Sequence, residues 1–346
     1  MAPYNDAVKV RTVASDDAAS ANSGRTAAYE GIIDPTWNIG NVPCGGYVLA
    51  LVLEACIQHQ VSTSHVDPLH ISAHFLRPTT PSAPFVVRVK TLKAGKGFTN
   101  LTADFVQQDG LRITAHAIFG VNSPSDDAQG ITLKAPSPYA RRVPIYSHPS
   151  EAKPMPLSNK MTNFSKNVGW AYDLETIQKN NPTHPNRATP NSVGGSGLEW
   201  AAWFEFKTPT EKLSNIYIPF LVDMFSNTIS LLPREERGNI GVSWFPTMTL
   251  AVDFKFPICM LGLEHSQRTA GIYSSGRFIS NPQSRHDIYV EVWSAPSNIG
   301  ERPIKEGWRE KQICLATATQ MALTVPIEVN MNNAKRVSLG VEGPKL

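Results

Sequence analysis

The sequence predicts an α+β protein made of two copies of one unit, each a long helix wrapped by a curved antiparallel sheet. Three observations carry this. The order strand, helix, four strands occurs twice. The strings "HFLRP" (74–78) and "DFKFP" (253–257) recur at matching places, each downstream of an apolar helix candidate. A proline-rich stretch, residues 122–195, separates the halves and ends in Gly194, Gly195, Ser196 and Gly197.

In the first half, residues 24–121, a short strand over 27–33 precedes the helix "GGYVLALVLEACIQHQ" (45–60). Period-2 alternation follows. "LHISAHFLRP" sets Leu69, Ile71, Ala73 and Phe75 on one face and His70, Ser72 and His74 on the other. "FVVRVKTL", "TNLTADFVQQ" and "RITAHAIFG" continue the sheet, with Asp109-Gly110 as the last turn. In the second half, residues 198–326, "LEWAAWFEFK" is the short strand and "IYIPFLVDMFSNTISLL" (216–232) the helix, with Pro219 in its first turn. "MTLAVDFKFP", "GIYSSGRFIS", "HDIYVEVWSA" and "KQICLATATQMAL" are its strands. Two such sheets can join edge to edge, as a dimer fused into one chain. Residues 1–23 read as a loose polar arm and 327–346 as a tail.

Composition narrows the function classes. Of 346 residues, 41% are hydrophobic and 18% charged, which suits a soluble globular protein of two domains. A net charge of +3, with no basic run and no basic–aromatic interleaving, argues against nucleic acid. No apolar stretch reaches the ~18 residues of a membrane span, and the N-terminus lacks the apolar core of a signal peptide. Cys44, Cys56, Cys259 and Cys314 are far apart and form no CxxC, so a reducing, cytoplasmic location is expected. The terminal Pro344-Lys345-Leu346 is one residue from a peroxisomal address.

Common catalytic motifs are absent. "VGGSGLEW" has Leu198 where a serine-hydrolase elbow needs its second glycine, and there is no P-loop or G-x-G-x-x-G. His70 and His74 lie on a predicted strand without a third ligand, so no metal is expected. Three polar residues of the second half stand out instead. Asp223 interrupts the apolar run "PFLVDMFSN", where a buried carboxylate needs partners; alternatively it turns to solvent or caps a kink after Pro219. Thr247 begins a strand, a place that suits threonine for structural reasons alone. Gln320 ends the small-residue face Cys314, Ala316, Ala318. Together they supply a carboxylate, a hydroxyl and a carboxamide, a set able to hold a water molecule and take its proton.

These residues carry a family resemblance. "FLVD", "PTMTLAVDFKFP" and "LATATQMAL" resemble the C-terminal half of acyl-CoA thioesterase II, and "CGGYV" (44–48) with "HFLRP" its N-terminal half. "YSSGRFI" and "VEVWSA" are similar to the broader thioesterase-like superfamily of double-hotdog proteins, which includes many fungal members. The resemblance spans both units, about two thirds of the chain, and misses 122–195. It implies a tandem (double) hotdog fold and cofactor-free, metal-free hydrolysis of fatty acyl-CoA. It also implies catalytic roles for Asp223, Thr247 and Gln320, which match the family's aspartate, threonine and glutamine. The family commonly has glutamine after the paired glycines; here Tyr47 follows Gly45 and Gly46. These three are candidates for substrate binding at a helix N-terminus, with packing the competing role for the glycines. The proline-rich segment is long enough to form a lid over an acyl tunnel.

The expected partner is an acyl-CoA or an acyl chain on a carrier protein, with a homodimer of double hotdogs as one assembly. Two other readings stay open. One is a different hotdog reaction, acyl transfer or a dehydratase or isomerase step, in lipid, polyketide or other secondary metabolism. Against the hydratase form, "DPTWNIGN" (34–41) lacks the histidine of the Asp-x-Asn-x-x-His pattern. The other is a non-catalytic acyl-binding protein.

Overall fold

A computed structural model describes residues 2–13, 24–122, 133, 137–157, 161–185, 187–189, 191–195 and 197–338. The tripeptide Pro344-Lys345-Leu346, residues 14–23 of the expected arm, and parts of the proline-rich segment lie outside the described residues.

The first unit comprises β1 (Thr26–Ile32), α1 (Gly45–Gln60), β2 (Asp67–Phe75), β3 (Pro84–Ala94), β4 (Thr99–Gln107) and β5 (Gly110–Gly120). The second comprises β6 (Leu198–Phe206), the short helices α2 (Ile218–Leu221) and α3 (Thr228–Leu231), β7 (Thr247–Phe254), β8 (Thr269–Gly276), β9 (Arg285–Ser294) and β10 (Cys314–Ala322). A helix α4 (Ile327–Ser338) follows. This is a tandem hotdog. The main strands run β1-β3-β4-β5-β2 and then β7-β10-β9-β8-β6 in one continuous antiparallel sheet.

The junction is β2 against β7. His74 faces Thr249, His70 faces Asp253, and Ser72 faces Ala251 between them. In the "HFLRP"/"DFKFP" alignment Ser72 and Ala251 are counterparts. The pseudo-twofold axis relating the units therefore passes through that pair, and the repeat seen in sequence is the symmetry of the fold. On the outer face of the junction His70 Nδ1 meets Asp253 Oδ1 at 2.8 Å.

Helix α1 is enclosed because it is apolar on all sides; Val48, Leu49, Ala50, Leu51, Val52 and Leu53 are all buried. The counterpart in the second unit is broken. The pattern predicts one helix over 216–232, but the chain leaves helical geometry after Leu221 and resumes it at Thr228. Ser226 and Asn227 explain the restart. Both prefer caps to helix interiors, and the Asn227 side chain accepts the Ile229 N–H. Asp223 thus lies in a turn, not mid-helix.

Two other expectations are corrected. Residues 2–13 are not a loose arm: Tyr4 is fully buried among Trp37, Tyr47, Phe206, Tyr217 and Phe220. Its N–H donates to the buried Glu211 carboxylate at 2.6 Å. Nor does most of the described part of 122–195 lie over a tunnel. Val143, Ile145 and Ala152 cover the outer face of the second sheet against Trp203, Tyr273 and Trp293. Asp173 fastens this layer, accepting the Tyr146 and Ser147 N–H groups at 3.1 and 3.0 Å.

The start of α4 is tied to the first unit by Asn330, which is fully buried. Its Oδ1 accepts the Asn41 N–H at 3.0 Å and its Nδ2 donates to Ile39 O at 3.2 Å. Between them Gly40 has φ +60°, and a Cβ there would lie 2.4 Å from Asn330 Oδ1. Asn330→Ala strands both backbone groups. We expect a loss of about 1–3 kcal/mol, read as a lower urea midpoint; an unchanged midpoint would show that the tie carries no stability.

Candidate active site

The three polar residues singled out by the sequence meet at one carboxylate. Each reaches it for a local reason. Asp223 sits where α2 ends, its N–H still bonded to Phe220 O at 3.1 Å. Gln320 lies opposite Leu250 in the β7–β10 ladder and shares the inner face with Ala316 and Ala318, whose small side chains leave room. Thr247 is different. Leu250, Val252 and Phe254 define the inward positions of β7, so simple alternation would turn Thr247 outward. A register irregularity between Thr247 and Thr249 sets Thr247 opposite Ala322 and re-aims it inward.

Gln320 Nε2 donates to Asp223 Oδ1 at 2.6 Å and to Thr247 Oγ1 at 2.8 Å. Thr247 Oγ1 in turn faces Asp223 Oδ1 at 3.5 Å. The other carboxylate oxygen belongs to the first unit. Asp223 Oδ2 accepts the Gly46 N–H at 2.8 Å and the Cys44 thiol at 3.3 Å. The N-cap residue of α1, Cys44, makes no side-chain cap of its own, so the second unit's aspartate caps the first unit's helix. A carboxylate is favoured there by the unpaired N–H groups and the helix dipole.

Burial raises the Asp223 pKa above the ordinary carboxylate range; the Gly46, Cys44, Gln320 and Thr247 donors pull it back. Cys44 is shifted well above the usual thiol range, first by burial and then by the Asp223 charge, so it stays a protonated donor.

Gly46 lets the two helices touch. A Cβ on it would stand 2.3 Å from Pro219 O and 2.7 Å from Asp223 Cβ. Gly45 faces Asp223 Oδ2 more loosely, at 3.3 Å from its would-be Cβ. Tyr47 does not reach the carboxylate and is corrected as a ligand-binding candidate. It is fully buried, and its hydroxyl donates to Ala7 O and accepts the Asp34 N–H.

The carboxylate opens into a cavity of about 210 Å³ between the units. Val42, Val48, Phe75 and Ile113 line it from the first unit, and Phe225, Trp244 and Phe245 from the second. Of the proline-rich segment's described residues, Met161 reaches it. The arrangement offers a base and orienting donors beside an apolar slot. Sequence reasoning passed over Cys44 as a donor and the strand irregularity behind Thr247. The first had a signal, its place just before the paired glycines; the second had none. Among the described residues no cluster of His, Cys, Asp and Glu suits a metal, and no helix is long and apolar enough to cross a membrane.

Comparison with known proteins agrees with this architecture. Residues 33–120 match the family model of the acyl-CoA thioesterase N-terminal domain. The fold resembles a Thermobifida fusca protein provisionally designated thioesterase II, with TM-score 0.63 and 16% identity. It also resembles the acyl-CoA thioesterase II TesB2 of Mycobacterium marinum, with TM-score 0.56 and 14% identity. Both alignments cover 93% of this chain and 97% of the other. At such identities these two likenesses speak for the fold. An 83-residue stretch is 32% identical to the ustilagic acid biosynthesis cluster protein orf2 of Mycosarcoma maydis; it spans 24% of this chain and 22% of that protein. Residues 33–120 thus match an acyl-CoA thioesterase N-terminal domain model, and the chain as a whole has a fold like that of the solved thioesterase II structures.

Proposed function

We propose that the protein hydrolyses an acyl thioester, of CoA or of a carrier protein, to the free acid and thiol. The observation that carries this reading is the convergence of Gln320, Thr247, Cys44 and the Gly46 N–H on the Asp223 carboxylate beside an apolar cavity. The acyl chain lies in the cavity. A water molecule enters at the longest contact, between Thr247 Oγ1 and Asp223 Oδ1, and is oriented by Thr247 and Gln320. Asp223 takes its proton as the water oxygen attacks the thioester carbon. First-turn N–H groups of α1 other than that of Gly46 polarise the carbonyl. Collapse of the adduct expels the thiolate, which recovers the proton from Asp223. A place in a biosynthetic pathway is supported by the name of the Mycosarcoma maydis relative.

The test is thiol release from a panel of acyl-CoAs, with the acyl product identified by mass. Free acid supports hydrolysis; product formed only when an alcohol or amine is added would replace it with acyl transfer.

Asp223 must be ionised to act, and burial raises its pKa, so kcat/KM should fall on the acid side at a pH above that of an ordinary carboxylate. Cys44→Ala removes a donor that lowers this pKa. The acid limb should move to higher pH with little change in the plateau. A limb that stays in place would dissociate the thiol from the titration.

A further inference from the structure

Arg77 lines the same cavity as Asp223. Phe75, two residues earlier, faces the would-be Cβ of Gly45 at 3.4 Å, and Asp223 Oδ2 faces that same point at 3.3 Å. Phe75 thus stands next to the carboxylate, and Arg77 follows two residues further along the same cavity wall. The Arg77 guanidinium leans over Gly110: its Nη1 lies 3.3 Å from the position a Cβ would take there, and the centre of the Arg112 guanidinium lies 3.8 Å from the same position. Two like charges therefore sit side by side, and no ion pair joins either to an acid among the described residues.

The two differ in what occupies them. Arg112 is half-buried and committed to the protein, donating to Gln107 O, Pro78 O and Gln108 Oε1. Burial lowers its pKa, and the Arg77 charge lowers it further. Arg77 is exposed at the cavity edge, and its side chain makes no hydrogen bond among the described residues. A pair of uncompensated guanidiniums raises its own electrostatic energy, and an anion placed between them relieves it. Guanidinium geometry favours phosphate oxygens, which it can bind in a fork.

We infer that Arg77, backed by Arg112, forms an anion subsite for a phosphate of the thiol carrier that brings the acyl group to Asp223. This rests on the thioesterase reading above and names a residue that reads the thiol side of the substrate. The chemistry is shared by the phosphate of a 4′-phosphopantetheine arm and by the nucleotide phosphates of CoA. Phe75 and Ile113 mark the apolar wall beside the subsite; the guanidinium pair marks its polar end.

The experiment compares wild type with Arg77→Ala on three thioesters of one acyl group. These are the acyl-CoA, the acyl-4′-phosphopantetheine, and the acyl-N-acetylcysteamine, which ends before any phosphate. The variant should raise KM for acyl-CoA by roughly ten- to hundredfold, the range for losing a charge-assisted hydrogen bond, and leave the N-acetylcysteamine thioester unchanged. An equal rise with acyl-phosphopantetheine assigns the arm's phosphate; a rise with CoA alone assigns the nucleotide's. Equal losses on all three substrates, or none on acyl-CoA, overturn the subsite. Calorimetric titration with free CoA tests it without turnover: binding should weaken in Arg77→Ala and recover in part in Arg77→Lys. If wild type hydrolyses none of the thioesters yet binds CoA in an Arg77-dependent way, the hydrolase reading fails and the subsite stands. CoA binding that ignores Arg77 removes the subsite.

Discussion

Asp223→Asn should lower kcat/KM on the best acyl thioester by at least roughly a hundredfold, within the usual worth of a general base, and leave the protein folded. The shape of the side chain is kept and the proton acceptor is lost. The neighbours also permit the change. All four contacts to Asp223 are donors: the Gly46 N–H and Cys44 thiol on Oδ2, and the Gln320 amide and Thr247 hydroxyl on Oδ1. Asn can keep its oxygen toward Gly46 and Cys44 and turn its NH₂ toward Gln320. A flipped Gln320 carboxamide then presents oxygen, and the Thr247 hydroxyl can accept as well as donate. Loss of a carboxylate that burial disfavours offsets part of the rearrangement. Circular dichroism and the melting temperature should therefore stay close to wild type while thiol release collapses. Equal rates in the two proteins would remove Asp223 from the chemistry.

The legibility of the site follows from what sequence patterns encode. Helix α1 is readable over its whole length because, of its sixteen residues, those after the paired glycines include no breaker, and the strands because alternation marks sheets with one solvated face. Strand β6 blurred that signal. Ala201 and Trp203 point to an outer layer while Trp200, Ala202 and Phe204 point to the main core, so it reads as a continuous apolar run. The layer that covers it comes from residues around 143–152, whose prolines resemble a linker when taken alone. The helix break at 222–227 was hidden by the apolar residues Val222, Met224 and Phe225, which fit a helix as well as a turn. Asp223 was visible as an anomaly, a carboxylate in an apolar run, but its partners Cys44 and Gly46 come from the other unit, about half the chain away. Thr247 was found by its residue type and resemblance; the strand irregularity that turns it inward depends on pairing with β10 and leaves no mark in its own segment.

Gly46→Ala should have a larger effect on folding than any substitution at the carboxylate. The added methyl would lie 2.3 Å from Pro219 O, 2.7 Å from Asp223 Cβ and 2.9 Å from Phe220 Cα. Two of these atoms belong to the α2 backbone, so a rotamer change gives no relief; α2 must withdraw from α1. Destabilisation should reach the upper end of the roughly 1–3 kcal/mol typical of overpacking. That exceeds the gain of about 1 kcal/mol that alanine brings over glycine inside a helix. Withdrawal also moves Asp223 away from Thr247 and Gln320, and a shift near 1 Å can cost about a hundredfold in rate. Gly45→Ala separates the two consequences. Its methyl meets Asp223 Oδ2 at 3.3 Å and the Phe75 ring at 3.4 Å, contacts that a small side-chain movement accommodates. That variant should melt at or above the wild-type temperature and yet turn over more slowly, because it crowds the carboxylate oxygen without parting the helices. Gly46→Ala with wild-type stability would mean that the two helices are not in contact as described. Gly45→Ala with full activity would mean that the first turn of α1 does not border the reacting carbonyl and that crowding Asp223 Oδ2 leaves the Oδ1 side undisturbed.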